Sequence, residues 1–267
     1  MKKTRILTGL IGFPIVAAIL ILGNKYIIDA LFSIVMIISL YEYFNAVCKK
    51  YKVVKALGYI IALYIPFIHV IPTEITLKML TILIPSIIAI LFIKVIASKM
   101  EVNFNDISIE LFGILYIIGF TVFIPMLYAS DNGKLFIWYI FLTAWGTDTF
   151  AYAIGMKFGK HKLTVVSPKK SIEGSFGGII GATIIGVIYT ICINRFANLE
   201  INYLFITFTI MLLSILSQIG DLAASSIKRY VDIKDFGNII PGHGGILDRI
   251  DSIIFIAPFT YFILTIL

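Results

Sequence analysis

Nine apolar runs, separated by short charged segments, decide what this chain can fold into. They cover residues 6–22, 27–47, 56–72, 77–97, 107–128, 135–155, 176–193, 203–221 and 246–267, with ends that shift by a few residues. Roughly 20 helical residues cross a hydrocarbon core of about 30 Å, so each run is of membrane length. None alternates with the period of two that a barrel strand requires. Sixty per cent of the 267 residues are hydrophobic and 14% are charged. The mean hydropathy is +1.01, which excludes a water-soluble domain of this size. The expected fold is therefore all-α: a polytopic integral membrane helical bundle with about nine transmembrane helices.

The first run follows Lys2, Lys3 and Arg5, as in a secretory signal, but Gly23-Asn24-Lys25 is a poor cleavage site, so it is expected to be a retained span. The basic residues orient the bundle. Of the 22 Lys and Arg, only Lys25, Lys78, Lys134 and Arg195 fall on one side, and the remaining 18 fall on the other. The richer side is expected to be cytoplasmic, which puts the amino terminus inside and the carboxyl terminus outside a plasma membrane. The same asymmetry accounts for the net charge of +7 as topology, with some attraction to anionic headgroups, so no nucleic-acid partner is expected. Cys48 and Cys192 fall at opposite faces and lack metal-ligand spacing, so neither a disulfide nor a metal role is expected.

No repeat period or low-complexity tract is present. Residues 1–130 hold few ionisable groups within the runs and read as a transmembrane scaffold. Residues 131–267 hold most of the internal polar chemistry and the two longest loops, and read as the catalytic region.

In that region, Asp148, Tyr152 and Gly155 share one helical stripe at i, i+4 and i+7. An ionisable residue inside a span marks a site by default, and its alternative role is an ion pair that fixes helix packing. The segment Lys169-Lys170-Ser171-Ile172-Glu173-Gly174 precedes a glycine-rich helix. It offers cations, a hydroxyl and helix-terminal N–H groups suited to a polyphosphate, although a basic loop beside a packing helix would look the same. It is not a P-loop. The small residues Gly177, Gly178, Gly181 and Ala182 mark close packing, within one chain or between two.

Further on, Asp221, Ser225 and Lys228 recur at i, i+4 and i+7, and Asp248, Asp251 and Ser252 at i, i+3 and i+4. Carboxylates on two helix ends suit Mg²⁺, which takes one or two carboxylates plus phosphates and waters. Between them, Pro241-Gly242-His243-Gly244-Gly245 allows close backbone approach to a ligand, or forms a tight re-entrant turn whose histidine caps a helix.

From Ser225 to Asp251 the chain resembles the signature of the phosphatidate cytidylyltransferase (CDP-diacylglycerol synthase) family. Ser225, Lys228, Arg229, Lys234, Asp235, Gly237, Pro241, His243, Gly244, Gly245, Asp248, Arg249 and Asp251 fill its fixed positions. The segments around Asp148 and Lys169 also resemble family segments, with Ser171 where Thr is more usual, a change that keeps the hydroxyl. The resemblance implies condensation of CTP with phosphatidic acid to CDP-diacylglycerol and pyrophosphate at the cytoplasmic face, with Mg²⁺ as cofactor and a homodimer as an expected assembly. Asp221, Asp248 and Asp251 would hold the metal. Lys228, Arg229, Lys234 and Arg249 would neutralise phosphates. Lys169, Lys170, Ser171, Glu173, Ser225, His243, Gly244 and Gly245 are candidates for nucleotide binding, with Asp148 and Tyr152 on the adjoining wall. Two alternatives stand beside this reading: a CTP-dependent enzyme acting on another lipid, such as a CDP-archaeol synthase or a polyprenol kinase, and a membrane transporter.

Overall fold

The computed structural model describes residues 14–48, 51, 55–239 and 244–265. Lys2, Lys3, Arg5, Lys49, Lys50, Lys52, Pro241, Gly242 and His243, all used in the sequence reading, lie outside the described residues.

The chain runs through α1 (14–22), α2 (Lys25–Val47), α3 (Lys55–Tyr64), a 3₁₀ segment (Ile65–Val70), α4 (Thr73–Ala97), α5 (Phe104–Thr121) and α6 (Phe123–Ala129). It continues through α7 (Gly133–Phe158), α8 (Ile172–Phe196), α9 (Tyr203–Tyr230) and α10 (Leu247–Thr265). No strand forms among the described residues, whose one bridge pairs Lys162 with Ser171. The all-α expectation holds. Five stretches, Lys25–Val47, Glu74–Ala97, Phe104–Ala129, Ile172–Phe196 and Tyr203–Tyr230, are long and apolar enough to cross a membrane, as a multi-pass membrane protein requires.

Two expected spans depart from regular α-helix along their length, and proline explains both. Pro66 lies where α3 gives way to 3₁₀ geometry. Pro125 has no N–H to offer the Thr121 carbonyl, and α5 ends at Thr121. In the other direction, α9 continues to Tyr230, well past the expected end near residue 221, so Asp221, Ser225 and Lys228 do share one uninterrupted helix.

The chain forms two compact units. The first comprises Met1–Ala129 and Val231–Asp248. Its core is built on α2, where Ile28, Met36, Leu40 and Phe44 are fully buried, and it includes Ile117, Ile124 and Leu127 of α5 and α6. The Tyr43 hydroxyl donates to the Ile109 carbonyl at 3.0 Å, and its ring fills the space over Gly113. The expectation of few ionisable groups in this part needs correction, because Asp29, Glu42 and Glu110 are all buried here. An apolar run conceals such residues because one or two carboxylates barely lower its hydropathy.

Two of these carboxylates sit opposite a basic side chain. Asp29 lies 3.4 Å from His69, and Glu110 receives the Lys94 ammonium at 2.8 Å. Replacing Lys94 with Met should therefore remove the ammonium that faces a buried carboxylate and cost about 3 kcal/mol. The readout is the thermal midpoint of the detergent-solubilised protein.

The second unit comprises Ser130–Tyr230 and Arg249–Leu267. One face of α8 presents Gly174, Gly178, Ala182 and Gly186 at every fourth position, and the opposite face presents Phe176, Ile180, Ile184 and Ile188, all exposed as lipid contact requires. The small face admits neighbouring helices. A Cβ on Gly178 would meet the Thr147 carbonyl at 2.8 Å, one on Gly181 would enter the Phe150 ring, and one on Gly186 would strike Ile210. The stripe is thus engaged within the chain by α7 and α9. Buried hydroxyl pairs reinforce these contacts, with Thr147 and Ser214 at 2.7 Å and Tyr139 and Thr190 at 2.7 Å.

Candidate active site

In the second unit, close packing along α8 sets the position of α7, and with it Asp148, the residue after the Thr147 carbonyl that rests on Gly178. The α9–α10 contact is equally tight. A Cβ on Gly220 would meet the Asp251 carbonyl at 2.9 Å and the Phe255 side chain at 2.4 Å, so the residue beside Asp221 must be small for the two helices to meet.

These contacts gather charges from four segments. Lys170 forms an ion pair with Asp221. The Ser225 hydroxyl, one turn along α9, donates to the same carboxylate at 3.5 Å. Asp148 interacts electrostatically with Asp221, Lys170 and Arg249, and Asp251 with Asp221, Asp148 and Lys228. Three carboxylates thus share a field with three cations. Asp148 and Arg249 are exposed, Asp221 and Lys170 are half-buried, and Lys228 and Asp251 are buried, so the cluster has an accessible rim and a closed floor.

Lys170 is aimed by the backbone of its loop. Its N–H donates to the Ser167 carbonyl at 3.0 Å, and its own carbonyl accepts from Leu163 N–H at 2.9 Å. Glu173 ties the same loop together, accepting from Lys160 N–H at 3.1 Å and meeting His161 Nδ1 at 2.6 Å. Ser171 caps α8 by accepting from Gly174 N–H at 3.1 Å. Of the residues read as a nucleotide pocket, Lys170 therefore joins the charged cluster, while Ser171 and Glu173 organise the loop that carries it. Lys169 is exposed on that loop, and Tyr152, one turn beyond Asp148, is two-thirds exposed at 67%.

In the first unit, Asp248 Oδ2 accepts from Phe236 N–H at 2.8 Å and Gly245 N–H at 3.0 Å, which fastens the loop preceding α10. Gly244 adopts φ +86°, the one glycine among the described residues in the left-handed region, as its turn requires. Lys234 and Asp235 are exposed. Arg229 is exposed at the end of α9 in the second unit. Glu42 is the functional candidate that sequence reading passed over. It is 2% exposed in α2, and it accepts from Ile246 N–H at 3.0 Å and Leu247 N–H at 2.9 Å. Its only signal in the sequence is that it is a carboxylate inside an apolar run, which it shares with Asp29.

No group of three or more His, Cys, Asp or Glu side chains forms a ready metal cage among the described residues. Asp221 and Asp251 nevertheless suit Mg²⁺, because that ion binds through one or two carboxylates and completes its shell with water and phosphate. The two carboxylates repel each other, and a divalent cation would relieve that repulsion.

The cytidylyltransferase family matches residues 3–267, and the chain belongs to that family. It is therefore a nucleotidyltransferase. It is similar to the phosphatidate cytidylyltransferase of Bacillus subtilis (strain 168), at 33% identity over 98% of this chain and 97% of the relative. The phosphatidate cytidylyltransferase of Staphylococcus haemolyticus (strain JCSC1435) is 36% identical over 96% of both chains, and that of Staphylococcus aureus (strain COL) 34% identical over 96% of both. A transporter reading does not fit this family.

Proposed function

We propose that the chain transfers the cytidylyl group of CTP to phosphatidic acid, giving CDP-diacylglycerol and pyrophosphate. The observation that carries this reading is the cluster of Asp148, Asp221 and Asp251 among Lys170, Lys228 and Arg249, in a chain whose full-length relatives are phosphatidate cytidylyltransferases. Phosphatidate brings its own nucleophile. One of its phosphate oxygens attacks the α-phosphorus of CTP, and the bond from that phosphorus to the bridging oxygen breaks as pyrophosphate leaves. No covalent enzyme intermediate is needed, and the protein's task is alignment and charge neutralisation.

Lys170 and Arg249 are suited to the nucleotide phosphates and the departing pyrophosphate, because each sits on an accessible or half-accessible part of the cluster. Lys228 supports the buried floor beside Asp251. Arg229, in the second unit, is an exposed cation suited to the lipid phosphate. Asp221 and Asp251 would hold Mg²⁺ in the second unit, and Asp248 serves the loop before α10. When bound, the metal would neutralise phosphate charge at the reacting centre. The excess of basic residues orients the amino terminus to the cytoplasm, so both charged substrates meet at the inner face.

The test is pyrophosphate release by the detergent-purified protein. Release should require CTP, phosphatidate and Mg²⁺ together, and EDTA should reduce it to background. Turnover with ATP replacing CTP, or undiminished turnover in EDTA, would contradict the reading.

A further inference from the structure

We propose that Glu42 is a positioning residue for this reaction, holding Gly244–Gly245 and the first turn of α10 in register. The proposal rests on the cytidylyltransferase reading for the reaction it serves, and on geometry within the first unit for the rest.

A helix begins with N–H groups that have no partner of their own, and its amino terminus carries partial positive charge. At the start of α10 two of these donors, and the N–H of the residue just before them, are taken by carboxylates. Gly245 N–H donates to Asp248 Oδ2, Ile246 N–H to Glu42 Oε1, and Leu247 N–H to Glu42 Oε2. Asp248 comes from α10 itself, whereas Glu42 reaches in from α2, more than 200 positions earlier in the chain. Glu42 therefore caps the helix from outside and fixes where its first turn starts. Asp248 lies in that turn, and Arg249 and Asp251 follow it.

Two glycines of the motif are explained by the same side chain. A Cβ on Gly237 would lie 2.3 Å from Glu42 Oε1, and one on Gly245 would lie 2.4 Å from Oε2. The space these glycines leave is filled by the Glu42 carboxylate. It acts through the turn it holds.

The first readout is hydrogen–deuterium exchange of the full-length protein in detergent, which does not depend on turnover. In Glu42→Gln, exchange at residues 244–247 should quicken about 10-fold or more, because a charged acceptor is lost, while amides of α5 keep their protection. Pyrophosphate release should fall about 10-fold or more, with KM for CTP changed much less.

The second readout is steric. Gly245→Ala should cost about 100-fold in activity alone, yet little further in a Glu42→Ala background, where the added methyl has room. Unchanged exchange at 244–247 would overturn the proposal, as would equal penalties for Gly245→Ala in both backgrounds. Loosened exchange with unaltered turnover would reduce Glu42 to a structural cap, which also overturns it. If the unsubstituted protein made no pyrophosphate from CTP and phosphatidate, the reaction assignment would fall, and exchange would still decide whether Glu42 holds the turn.

Discussion

Asp251→Asn is expected to remove turnover, by about 1,000-fold or more, without lowering the thermal midpoint of the solubilised protein. The two halves of this expectation come from one arrangement. Asp251 is buried, with Asp221 and Asp148 repelling it and Lys228 attracting it. Its carboxylate accepts a local hydrogen bond from Ser252 N–H at 2.8 Å. A carboxylate kept in such company serves function at the expense of stability, and neutralising it relieves repulsion while removing the charge that the reaction uses. If Asp251 were instead one half of a structural ion pair, the same substitution would cost about 3–5 kcal/mol by removing the charge that Lys228 faces. Pyrophosphate release and a thermal melt on the same sample separate the two cases.

Gly174→Ala is the second large effect, and it is out of proportion to one methyl group. The added carbon would lie 2.7 Å from the Ala151 carbonyl, 2.9 Å from Ser171 Oγ and 3.1 Å from the Gly155 Cα. Two of these are backbone atoms, which cannot swing aside, so α7 and α8 must separate at the level of the charged cluster. Overpacking of this kind costs about 1–3 kcal/mol. Displacing Asp148 from Lys170 and Asp221 should cost about 10- to 100-fold in turnover as well. Gly119→Ala supplies the contrast. Its Cβ would meet nothing within 4 Å, and the helix gains from losing a glycine, so that variant should be at least as stable as the original and fully active.

These two cases show which parts of the molecule were legible in the sequence. Apolar runs of membrane length gave the helices, because a spanning segment must satisfy its backbone internally and leaves a long unbroken signal. The i, i+4, i+7 stripe of Asp221, Ser225 and Lys228 was legible because α9 is continuous through it. The breaks at Pro66 and Thr121–Phe123 were concealed, since hydropathy does not register a missing N–H. The small-residue stripe of α8 was legible as a packing face, but its occupant was not, because sequence spacing does not say which helix arrives.

Residue roles divided in the same way. Lys170 was found through its charge, and the structure adds the partner, Asp221. Glu173 and Ser171 drew notice for chemistry that suits a phosphate, and they spend it on backbone N–H groups of their own loop and helix. The glycines of the last motif pointed to close approach, but at Gly237 and Gly245 the approaching group is Glu42. No local pattern could supply that pairing, since its two halves lie at opposite ends of the chain.

Transfer of a cytidylyl group to a phosphorylated lipid can be read from the fate of a label. CTP carrying ³²P at the α-phosphorus or at the γ-phosphorus would be given separately to the purified protein with phosphatidate and Mg²⁺. The α label should enter the organic-soluble product and the γ label should leave as pyrophosphate. Appearance of the γ label in lipid would identify a kinase, and its absence from pyrophosphate would contradict the account.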